Sequence, residues 1–544
     1  MDPQTPLQSG RNRVKPGSPQ TGAFRLRAVL FDFDGTLTLP GILEEEAAMA
    51  ASPAPYAEDA VHGVRSWGLK TGIITRTTRA SVEQALQNFP GLDIMEDFDV
   101  VVTRDDPVEP KPAPDGVRLA AERLGVKAEE IVVVGDHFLD IWAGRKAGAV
   151  TVLLRDHPDT TSDEEVAFEP DLGGGEPIEP DFTLETLQEL DQIIRLGLPL
   201  PQGKLPNDVL GRYLDSLPSF DSSVVLGPGV GEDTAAIAIG PESPYLVLKS
   251  DPITFLTDRL ADYLVVINAN DIATSGAEAR WLLATVLVPP QTPTSQVLRL
   301  LDDVAEACTR HRIALCGGHT EITDAVTRPV VIGSMVGTVP RDHLLDKRNM
   351  RPGDRILLTK YAGLEGTAVL AQEMEKTLLA HGLSGDDLRA ARDFAEQLSV
   401  ATEARISTDS RGISALHDVT EGGVATALGE LSLAGGNRIR VDLECISIHP
   451  LTRSICTALN VDPLGLIGSG SLLICCREEE YERLAHRIED AAVPVAVVGE
   501  VEGAGTGVTA HREGRPATWP HFERDELARI LEDGTQGNAR KNPQ

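Results

Sequence analysis

Apolar runs alternate with amphipathic segments along residues 25–155 of the chain. The runs predict short strands, and the segments between them, such as SVEQALQNF and APDGVRLAAERLG, have the spacing of helices. Strands and helices in alternation predict a parallel sheet with helices on both faces. Ligands of such sheets bind at the carboxyl ends of the strands. Here polar residues follow the apolar runs RAVLFDFDG, LKTGIITRT, VVVT, EIVVVGD and VTVLL.

A different pattern begins after the proline-containing segment LPLPQGKLP, which we interpret as a linker. Beyond it, long β-rich segments are mixed with helices, and RNMRPGDRILLTK marks an inner boundary near residue 347. The fold class is therefore expected to be α/β, with a Rossmann-like parallel sheet followed by a two-part α/β domain. The expected divisions are a disordered tail (1–23), a first domain (24–198) with an acidic surface excursion at 159–180, the linker (199–206), the two halves of a second domain (207–346 and 347–525) and a disordered end (526–544).

The charge balance is acidic, since 83 Asp and Glu oppose 50 Lys and Arg and give a formal net charge of −33. Such a surface argues against partners such as nucleic acid or an anionic membrane, which need basic patches. No run of about 18 apolar residues predicts a transmembrane helix, and the N-terminus lacks the apolar core of a signal peptide. None of the six cysteines falls in a CxxC pattern, so we expect a cytoplasmic protein without disulfides. Cys316, Cys475 and Cys476 lie in apolar runs that predict buried strands.

The first candidate site begins at FDFDGT, where Asp32 and Asp34 follow an apolar strand. Two carboxylates at a strand tip can hold magnesium through oxygen ligands. One of them can also attack phosphorus while the other transfers the proton of the leaving group. Taken alone, the motif could also form a calcium-type loop or a simple turn.

Polar residues at later strand ends extend this motif into a larger set. Thr75 ends the next strand, Lys111 precedes a helix, and Asp136 and Asp140 follow a third strand. A carboxylate nucleophile and a phosphate ester repel each other, so the chemistry needs Lys111 and magnesium to neutralise the transferring oxygens. Thr75 is expected to donate to the phosphate, Asp136 to complete the metal shell, and Asp140 to bind the metal or to support a ligand.

These motifs, in this order, resemble the haloacid-dehalogenase (HAD) superfamily, in particular its phosphoglycolate-phosphatase-like branch, over about residues 25–195. The resemblance implies that Asp32 becomes a phosphoaspartate, that Asp34 is the acid and base, and that Thr75 and Lys111 bind phosphate. The stretch between Asp32 and Thr75 leaves room only for a small cap, which departs from that branch. We therefore expect a more open site that accepts a larger or macromolecular phosphate.

The second half carries its own acids, each placed beside glycines. Glycines allow backbone N–H groups to approach phosphates, and carboxylates can hold the magnesium ions that bridge a triphosphate. Any one of these motifs could be an ordinary turn, but the set predicts an ATP site that uses Mg²⁺. The candidate residues are Gly229, Gly231, Glu232 and Asp233 in GPGVGEDTA, Asp251 in KSDPIT, Asn270 and Asp271 in NANDIATSGAEARW, Gly317, Gly318, His319, Thr320 and Glu321 in CGGHTEIT, and Asp418, Thr420 and Gly422 in HDVTEGG.

This second set resembles the superfamily of aminoimidazole-ribonucleotide (AIR) synthetase, selenophosphate synthetase, thiamine-monophosphate kinase and, most closely, the hydrogenase-maturation carbamoyl dehydratase. The resemblance implies an ATP cleft with Asp233, Asp251 and Asp271 as metal and phosphate acids and with Asp418 contributing from the second half. It also implies a homodimer built through a shared barrel. The carbamoyl dehydratase's C-terminal Pro-Arg-X-Cys tail and the selenophosphate synthetases' reactive N-terminal cysteine have no counterpart here. His319 stands where several members have Asp, and it could contact the γ-phosphate, contact an acceptor or cap a turn.

Together the two sets predict a bifunctional enzyme. Its first half would hydrolyse a small-molecule phosphate ester, and its second would use ATP to phosphorylate or activate an acceptor. Three alternatives stay open. The second half could be a non-catalytic nucleotide-sensing or dimerisation module, or a hydrogenase-maturation-like factor without the C-terminal cysteine chemistry. The first half could transfer phosphate to an acceptor as a phosphotransferase or mutase.

Overall fold

The computed structural model describes residues 24–40, 48, 51–155, 179–199, 206–215, 221–254 and 259–539. Contacts divide the chain into two compact units, Met1–Leu200 and Pro201–Gln544. The division falls within the segment predicted to be a linker. The predicted N-terminal tail, most of the acidic excursion and most of the linker lie outside the described residues. Within the described residues, no helix is both long and apolar enough to cross a membrane.

Six strands form the sheet of the first unit in the order β3-β2-β1-β4-β5-β6, and all neighbouring pairs are parallel. This confirms the predicted parallel α/β sheet. The strands are β1 (Ala28–Phe31), β2 (Lys70–Ile74), β3 (Val100–Val102), β4 (Ile131–Gly135), β5 (Val150–Leu154) and β6 (Phe182–Leu184). The helices are α1 (Ala57–Ser66), α2 (Arg79–Leu86), α3 (Asp115–Leu124), α4 (Phe138–Ala147) and α5 (Leu190–Gly197).

Helix α3 shows how the sequence pattern becomes packing. Val117, Ala120, Ala121 and Leu124 recur at the spacing of one helix face, and all four are buried in one cluster with the sheet and α4. Burying one large aliphatic side chain contributes about 1.5–3 kcal/mol. Helices α1, α2 and α5 belong to a separate cluster on the other face of the sheet. The layers hold the strands rigidly and leave the carboxyl ends of β1, β2 and β4 for polar residues.

The first sheet of the second unit has the order β11-β10-β12-β9-β8-β7. Strands β10 and β11 are parallel, and the other neighbouring pairs are antiparallel. Every second residue of β12 is buried, as in a sheet with one covered face. The strands are β7 (Val224–Leu226), β8 (Ala235–Ala238), β9 (Tyr245–Ile253), β10 (Glu278–Val288), β11 (Ala314–Ile322) and β12 (Val330–Val339), and the helices are α6 (Asn207–Asp215), α7 (Leu260–Thr274) and α8 (Thr294–Arg310).

The second sheet of this unit has the order β14-β16-β13-β17-β15-β18-β19 and mixed pairing. Its strands are β13 (Arg355–Thr359), β14 (Ile413–Asp418), β15 (Asn437–Asp442), β16 (Leu472–Cys476), β17 (Val495–Ala504), β18 (Val508–Arg512) and β19 (Arg515–Ala517). The helices are α9 (Leu364–Glu373), α10 (Glu375–Ala380), α11 (Gly385–Arg392), α12 (Ala401–Thr408), α13 (Gly423–Gly435), α14 (Pro450–Leu459), α15 (Tyr481–Asp490) and α16 (Glu526–Ala539).

Two expectations need correction. Cys316 is exposed, because β11 is an edge strand whose residues are all exposed, whereas Cys475 and Cys476 are buried as predicted. Residues 526–539 form helix α16 instead of a disordered end. Leu527 is buried there against α9 and α14. The polar composition of the last residues hid this apolar contact, and residues 540–544 lie outside the described part.

Candidate functional site

Asp32 and Asp34 directly follow β1, and the turn after them brings a third carboxylate close. Gly35 has a φ of +88°, and a Cβ placed on it would lie 2.2 Å from Oδ2 of Asp136. Only glycine therefore lets the β1 turn and the β4 turn approach so closely. Thr36 Oγ1 donates to Asp136 Oδ1 at 3.2 Å, which fixes that carboxylate beside the turn.

Lys111 joins two of the predicted carboxylates. Its Nζ donates to Oδ1 of Asp32 and to Oδ1 of Asp140, both at 2.5 Å, and to the backbone oxygen of Ile74 at 2.9 Å. All three side chains of this ion-pair triad are buried. A charged group is rarely buried unless it is paired, so the triad holds the ammonium group at one fixed position beside Asp32.

Thr75 follows β2 and is buried. Its backbone N–H donates to the oxygen of Val102, and its Oγ1 accepts from the N–H of Thr77 at 3.1 Å. The hydroxyl of Thr77 is also buried and has no hydrogen-bond partner among the described residues. Our sequence analysis missed Thr77, although it stands in the same GIITRT segment as Thr75.

Burial raises the pKa of Asp32 to about 6, with the Lys111 charge opposing the shift and the Asp140 charge adding to it. Burial also raises the pKa of Asp136 and of Asp140. Burial disfavours the charged form of Lys111, but Asp32 and Asp140 outweigh it and raise its pKa. The cluster thus holds more negative charge than one lysine can balance.

The donor set of the first unit fits a magnesium ion. Carboxylate oxygens of Asp32, Asp136 and Asp140 all lie within 4.8 Å of one another. Magnesium prefers oxygen ligands, and a divalent cation among these groups would relieve their mutual repulsion. Asp140 also accepts from the backbone N–H of His137 at 3.3 Å, and Lys111 binds its other oxygen. These contacts suit Asp140 to supporting the other ligands rather than to direct coordination.

In the second unit, the glycine-rich turn GPGVGED packs against helix α13. Gly231 has a φ of +79°, and a Cβ there would lie 2.3 Å from the backbone oxygen of Glu430. The turn can therefore approach the helix only with glycine at this position. The approach places Asp233 next to His417, the penultimate residue of β14.

Asp233 is held by two cationic side chains. Its Oδ2 lies 2.9 Å from Nζ of Lys347, and its Oδ1 lies 2.9 Å from Nδ1 of His417. Lys347 Nζ is also 3.8 Å from Glu232, and His417 Nε2 is 3.4 Å from Glu430. Burial would raise the pKa of Asp233, but His417 and Lys347 hold it far below its ordinary range. Burial opposes the charge of His417, but Asp233 outweighs it and raises the His417 pKa to about 9.

A second group of acids surrounds Lys249. Its Nζ lies 3.2 Å from Oδ1 of Asp271 and 3.9 Å from Oδ2 of Asp251. Asp271 ends up in the last turn of α7, and its Oδ2 is buried without a hydrogen-bond partner among the described residues. Burial and the charge of Asp418, the last residue of β14, raise the pKa of Asp271 well above its ordinary range. An orphaned carboxylate oxygen in such a place fits a metal ion.

The structure does not bring every predicted residue to this centre. Gly317, Gly318, His319, Thr320 and Glu321 lie on β11, which β10 and β12 separate from the strand of Asp251. His319 Nε2 instead lies 3.5 Å from Glu321 Oε2, and both are exposed.

Four other predicted residues make contacts that involve the backbone. The amide of Asn270 donates to the oxygen of Leu398 at 2.7 Å and accepts from the N–H of Val400 at 2.9 Å. Gly422 N–H donates to Asp525 Oδ2 at 2.6 Å, and Thr420 O accepts from Gly423 N–H. Gly229 O accepts from Glu232 N–H within the glycine-rich turn.

Four charged side chains of the centre were missed by sequence reasoning: Lys249, Lys347, His417 and Glu430. Two carried a local signal, because Lys249 lies two residues before Asp251 and His417 immediately precedes Asp418. Lys347 lies in a short 3₁₀ turn at the boundary between the two halves, and no motif marks it.

Four family models match the chain. The model described as haloacid dehalogenase-like hydrolase matches residues 40–148, and a HAD-hydrolase-like model matches 108–190. The model of the AIR synthase related protein N-terminal domain matches 231–339, and that of its C-terminal domain matches 351–511.

Curated relatives match one unit or the other. The carbamoyl dehydratase HypE of Cupriavidus necator is 27% identical over 47% of this chain and 71% of its own length. A putative hydrogenase expression/formation protein of Methanocaldococcus jannaschii is 23% identical over 46% of this chain and 73% of its own length. An uncharacterized hydrolase of Saccharomyces cerevisiae is 29% identical over 25% of this chain and 80% of its own length.

Among solved structures, a HypE–HypF complex is 21% identical, covers 54% of this chain and 94% of its own, and has a TM-score of 0.45. A thiamine monophosphate kinase of Aquifex aeolicus is 18% identical, covers 57% of this chain and 96% of its own, and has a TM-score of 0.43. The predicted family membership rests on the motifs and the family models. The chain is an enzyme in which a region that matches haloacid-dehalogenase-like hydrolase models is joined to regions that match the N- and C-terminal domains of the AIR synthase related protein.

Proposed function

We propose that the first unit is a magnesium-dependent phosphomonoester hydrolase that works through a phosphoaspartate on Asp32. The observation that carries this proposal is the ammonium group of Lys111, which lies 2.5 Å from both Asp32 and Asp140. It fixes positive charge beside the nucleophile, where the oxygens of a transferring phosphoryl group would gather. Magnesium, held by Asp32, Asp34 and Asp136, would supply the remaining charge neutralisation.

The residues present can carry both halves of the reaction. An oxygen of Asp32 attacks phosphorus and forms a new P–O bond while the ester bond to the leaving oxygen breaks, and Asp34 gives that oxygen a proton. Asp34 then takes a proton from water, whose oxygen attacks the phosphoaspartate and releases orthophosphate and free Asp32. Lys111 and the hydroxyl of Thr75 stabilise the phosphoryl oxygens in both steps.

The test is orthophosphate release by the full chain over a panel of phosphorylated metabolites, with Mg²⁺ present. Asp32→Asn should abolish release, and the exposed Asp59→Asn variant, which makes the same chemical change on α1, should not alter it. Equal activity of Asp32→Asn and the unmodified chain would contradict the proposal. Phosphate that appears on an acceptor instead of in solution would favour the phosphotransferase or mutase alternative.

For the second unit we propose that the acids around Lys249 form a magnesium–ATP site. With ATP bound there, the unit phosphorylates or activates an acceptor. Support comes from the convergence of Asp233, Asp251, Asp271 and Asp418 from four separate segments and from the orphaned Asp271 oxygen. Carboxylates packed this closely favour divalent cations, and the glycine-rich turn offers backbone N–H groups to phosphates.

ADP release separates catalysis from sensing. The Asp32→Asn chain, with the first unit silenced, is incubated with Mg²⁺, ATP and a metabolite pool. ADP formation that Asp271→Asn removes supports a catalytic site. ATP binding without ADP formation supports the nucleotide-sensing alternative, and absence of both refutes an ATP site.

We further propose that two chains pair through the exposed edge strand β11. All nine of its residues are exposed, among them the apolar Leu315 (41% exposed) and Ile322 (64%). A long, exposed strand edge with apolar residues is a surface for pairing with another chain. Sedimentation velocity should show a dimer that Leu315→Lys dissociates, whereas the exposed Leu379→Lys, far along the sequence on α10, should not. A monomeric unmodified chain would contradict this proposal.

A further inference from the structure

The Asp233 side of the second centre is already filled by protein cations. Lys347 Nζ lies 2.9 Å from Oδ2 of Asp233, and Nδ1 of His417 lies 2.9 Å from Oδ1 and 3.0 Å from Oδ2, so both oxygens are in contact with a cationic side chain. A magnesium ligand must leave an oxygen free to approach the ion to about 2.0–2.1 Å. An ion bound at Asp233 would therefore have to displace the ammonium group or lie beside it against strong repulsion.

The backbone around Lys347 leaves the ammonium little freedom to move. The side chain is 7% exposed, and Glu232 lies 3.8 Å from the same Nζ. The short turn of Lys347 packs tightly on the end of α13, since a Cβ on Gly435 would lie 3.1 Å from the Lys347 backbone oxygen. Displacing the ammonium would separate it from Asp233, its closest counter-charge, in the interior of the unit, which is costly.

The acids around Lys249 are in the opposite situation. Asp271 has one oxygen 3.2 Å from Lys249, while its other oxygen is buried without a hydrogen-bond partner among the described residues. Asp418 is buried, its negative charge acts on Asp271, and one of its oxygens lies within 4.8 Å of ligand atoms of Asp233 and His417. An unsatisfied carboxylate oxygen in the interior is the atom that a divalent ion would complete.

Building on the proposed nucleotide function, we propose that Lys347, with His417, takes the place of a divalent ion beside Asp233, so that the divalent ion of this unit is held by Asp271 and Asp418. In this arrangement Asp233 is an anchor for Lys347 instead of a metal ligand. Lys347 is then a positioning residue that supplies a fixed positive charge next to the glycine-rich turn. This revises the prediction from sequence that Asp233 binds metal.

Metal counting tests the inference. The full chain carrying Asp136→Asn, which disables the proposed metal site of the first unit, is titrated with Mn²⁺, and free Mn²⁺ is measured by electron paramagnetic resonance. We expect one ion per chain. Adding Asp271→Asn should weaken binding at least tenfold. Adding Asp233→Asn and Lys347→Gln together removes one negative and one positive charge. This double change should alter the affinity for Mn²⁺ less than threefold, because no metal ligand is lost.

Single substitutions that remove the charge of Lys347 should change the number of Mn²⁺ ions bound per chain, which would stay the same if Lys347 had only a structural role. Lys347→Gln should admit a second Mn²⁺ at Asp233, and Lys347→Arg, which keeps the charge, should not. The inference is overturned if the double variant Asp233→Asn, Lys347→Gln binds Mn²⁺ at least tenfold more weakly, or if Asp271→Asn leaves the affinity for Mn²⁺ unchanged. It is also overturned if Lys347→Gln still binds one ion per chain, or if the parent binds none.

Binding of a fluorescent ATP analogue to the same proteins separates this inference from the proposed function. A parent chain that binds Mn²⁺ but no analogue refutes the nucleotide site, while the Mn²⁺ series still decides the role of Lys347. Thermal unfolding of each variant shows whether a lost ion reflects a lost fold.

Discussion

Replacing Lys111 with methionine removes the ammonium group that two buried carboxylates of the first unit share. Methionine keeps most of the length and apolar volume of the lysine stem, so the change isolates the charge. Two contacts of 2.5 Å, to Asp32 and Asp140, are lost together. Breaking a buried ion pair by removing one partner typically costs about 3–5 kcal/mol of stability.

The kinetic magnitude has two parts. With Lys111 present, the pKa of Asp32 is about 6, so most of the nucleophile is ionised at neutral pH. Loss of a nearby opposite charge raises a carboxyl pKa by about 1–3 units, which at neutral pH reduces the ionised fraction by roughly tenfold. Loss of one preorganised donor to the transition state costs about 10²–10³ in rate. We therefore expect kcat/KM to fall by about 10³–10⁴.

The assay is orthophosphate release at saturating Mg²⁺ across a range of pH, together with urea unfolding. The acid limb of the Lys111→Met pH profile should move to higher pH, because Asp32 then requires a higher pH to ionise. Lys127→Met makes the same change at an exposed surface position and should alter stability by no more than about 0.5 kcal/mol. A decrease in kcat/KM of less than tenfold, or an unmoved acid limb, would refute the role assigned to Lys111.

Further predictions concern the second unit. Gly231→Ala should cost about 1–3 kcal/mol and weaken nucleotide binding, because its Cβ would meet the Glu430 oxygen at 2.3 Å. The control is Gly429→Ala, because Gly429 lies in α13 beside Glu430 and a Cβ placed on it would have no atom within 4 Å. This variant should be neutral or stabilising in urea unfolding. The pKa of His417 is raised to about 9 in the folded chain. Its contribution to the free energy of unfolding is therefore fully present below about pH 6.5 and is lost as pH rises through 9, a loss of about 3 kcal/mol. His417→Gln should not show this loss. Burial raises the pKa of Glu365 to about 7. The free energy of unfolding should therefore fall by about 3 kcal/mol as pH rises from about 4.5 to 7. Glu365→Gln should remove this fall. For either variant, an unfolding free energy with the same pH dependence as the unmodified chain would contradict the assignment.

The first unit could be predicted almost residue by residue because its signals are local. Each strand is a short apolar run, and in a parallel sheet all carboxyl ends meet at one edge. Asp32, Thr75, Lys111 and Asp136 therefore had to come near one another once the strands were located. The sequence could not show that Lys111 contacts Asp140 as closely as Asp32, since that depends on the packing of the α4 turn.

The second unit was less predictable because its sheet is mixed. Strand order in an antiparallel or mixed sheet does not follow chain order, so CGGHTEIT could not be placed relative to KSDPIT from sequence alone. The structure puts these segments on β11 and β9, with two strands between them. Asn270 has the polar character of a ligand, yet its amide is used to hold the backbone at Leu398 and Val400.

Three of the four charged side chains missed in the second unit are cationic, namely Lys249, Lys347 and His417, and Lys347 comes from a distant part of the chain. Acids beside glycines form a local pattern, because the turn and the carboxylate occur within a few residues. The cations that neutralise them are long side chains that can reach in from anywhere, as Lys347 reaches Asp233 across 114 positions. A site judged from its motif acids alone is therefore too negative, and it overstates how many divalent ions the protein must bind. In an acidic chain such as this one, locating the buried lysines is what determines that number.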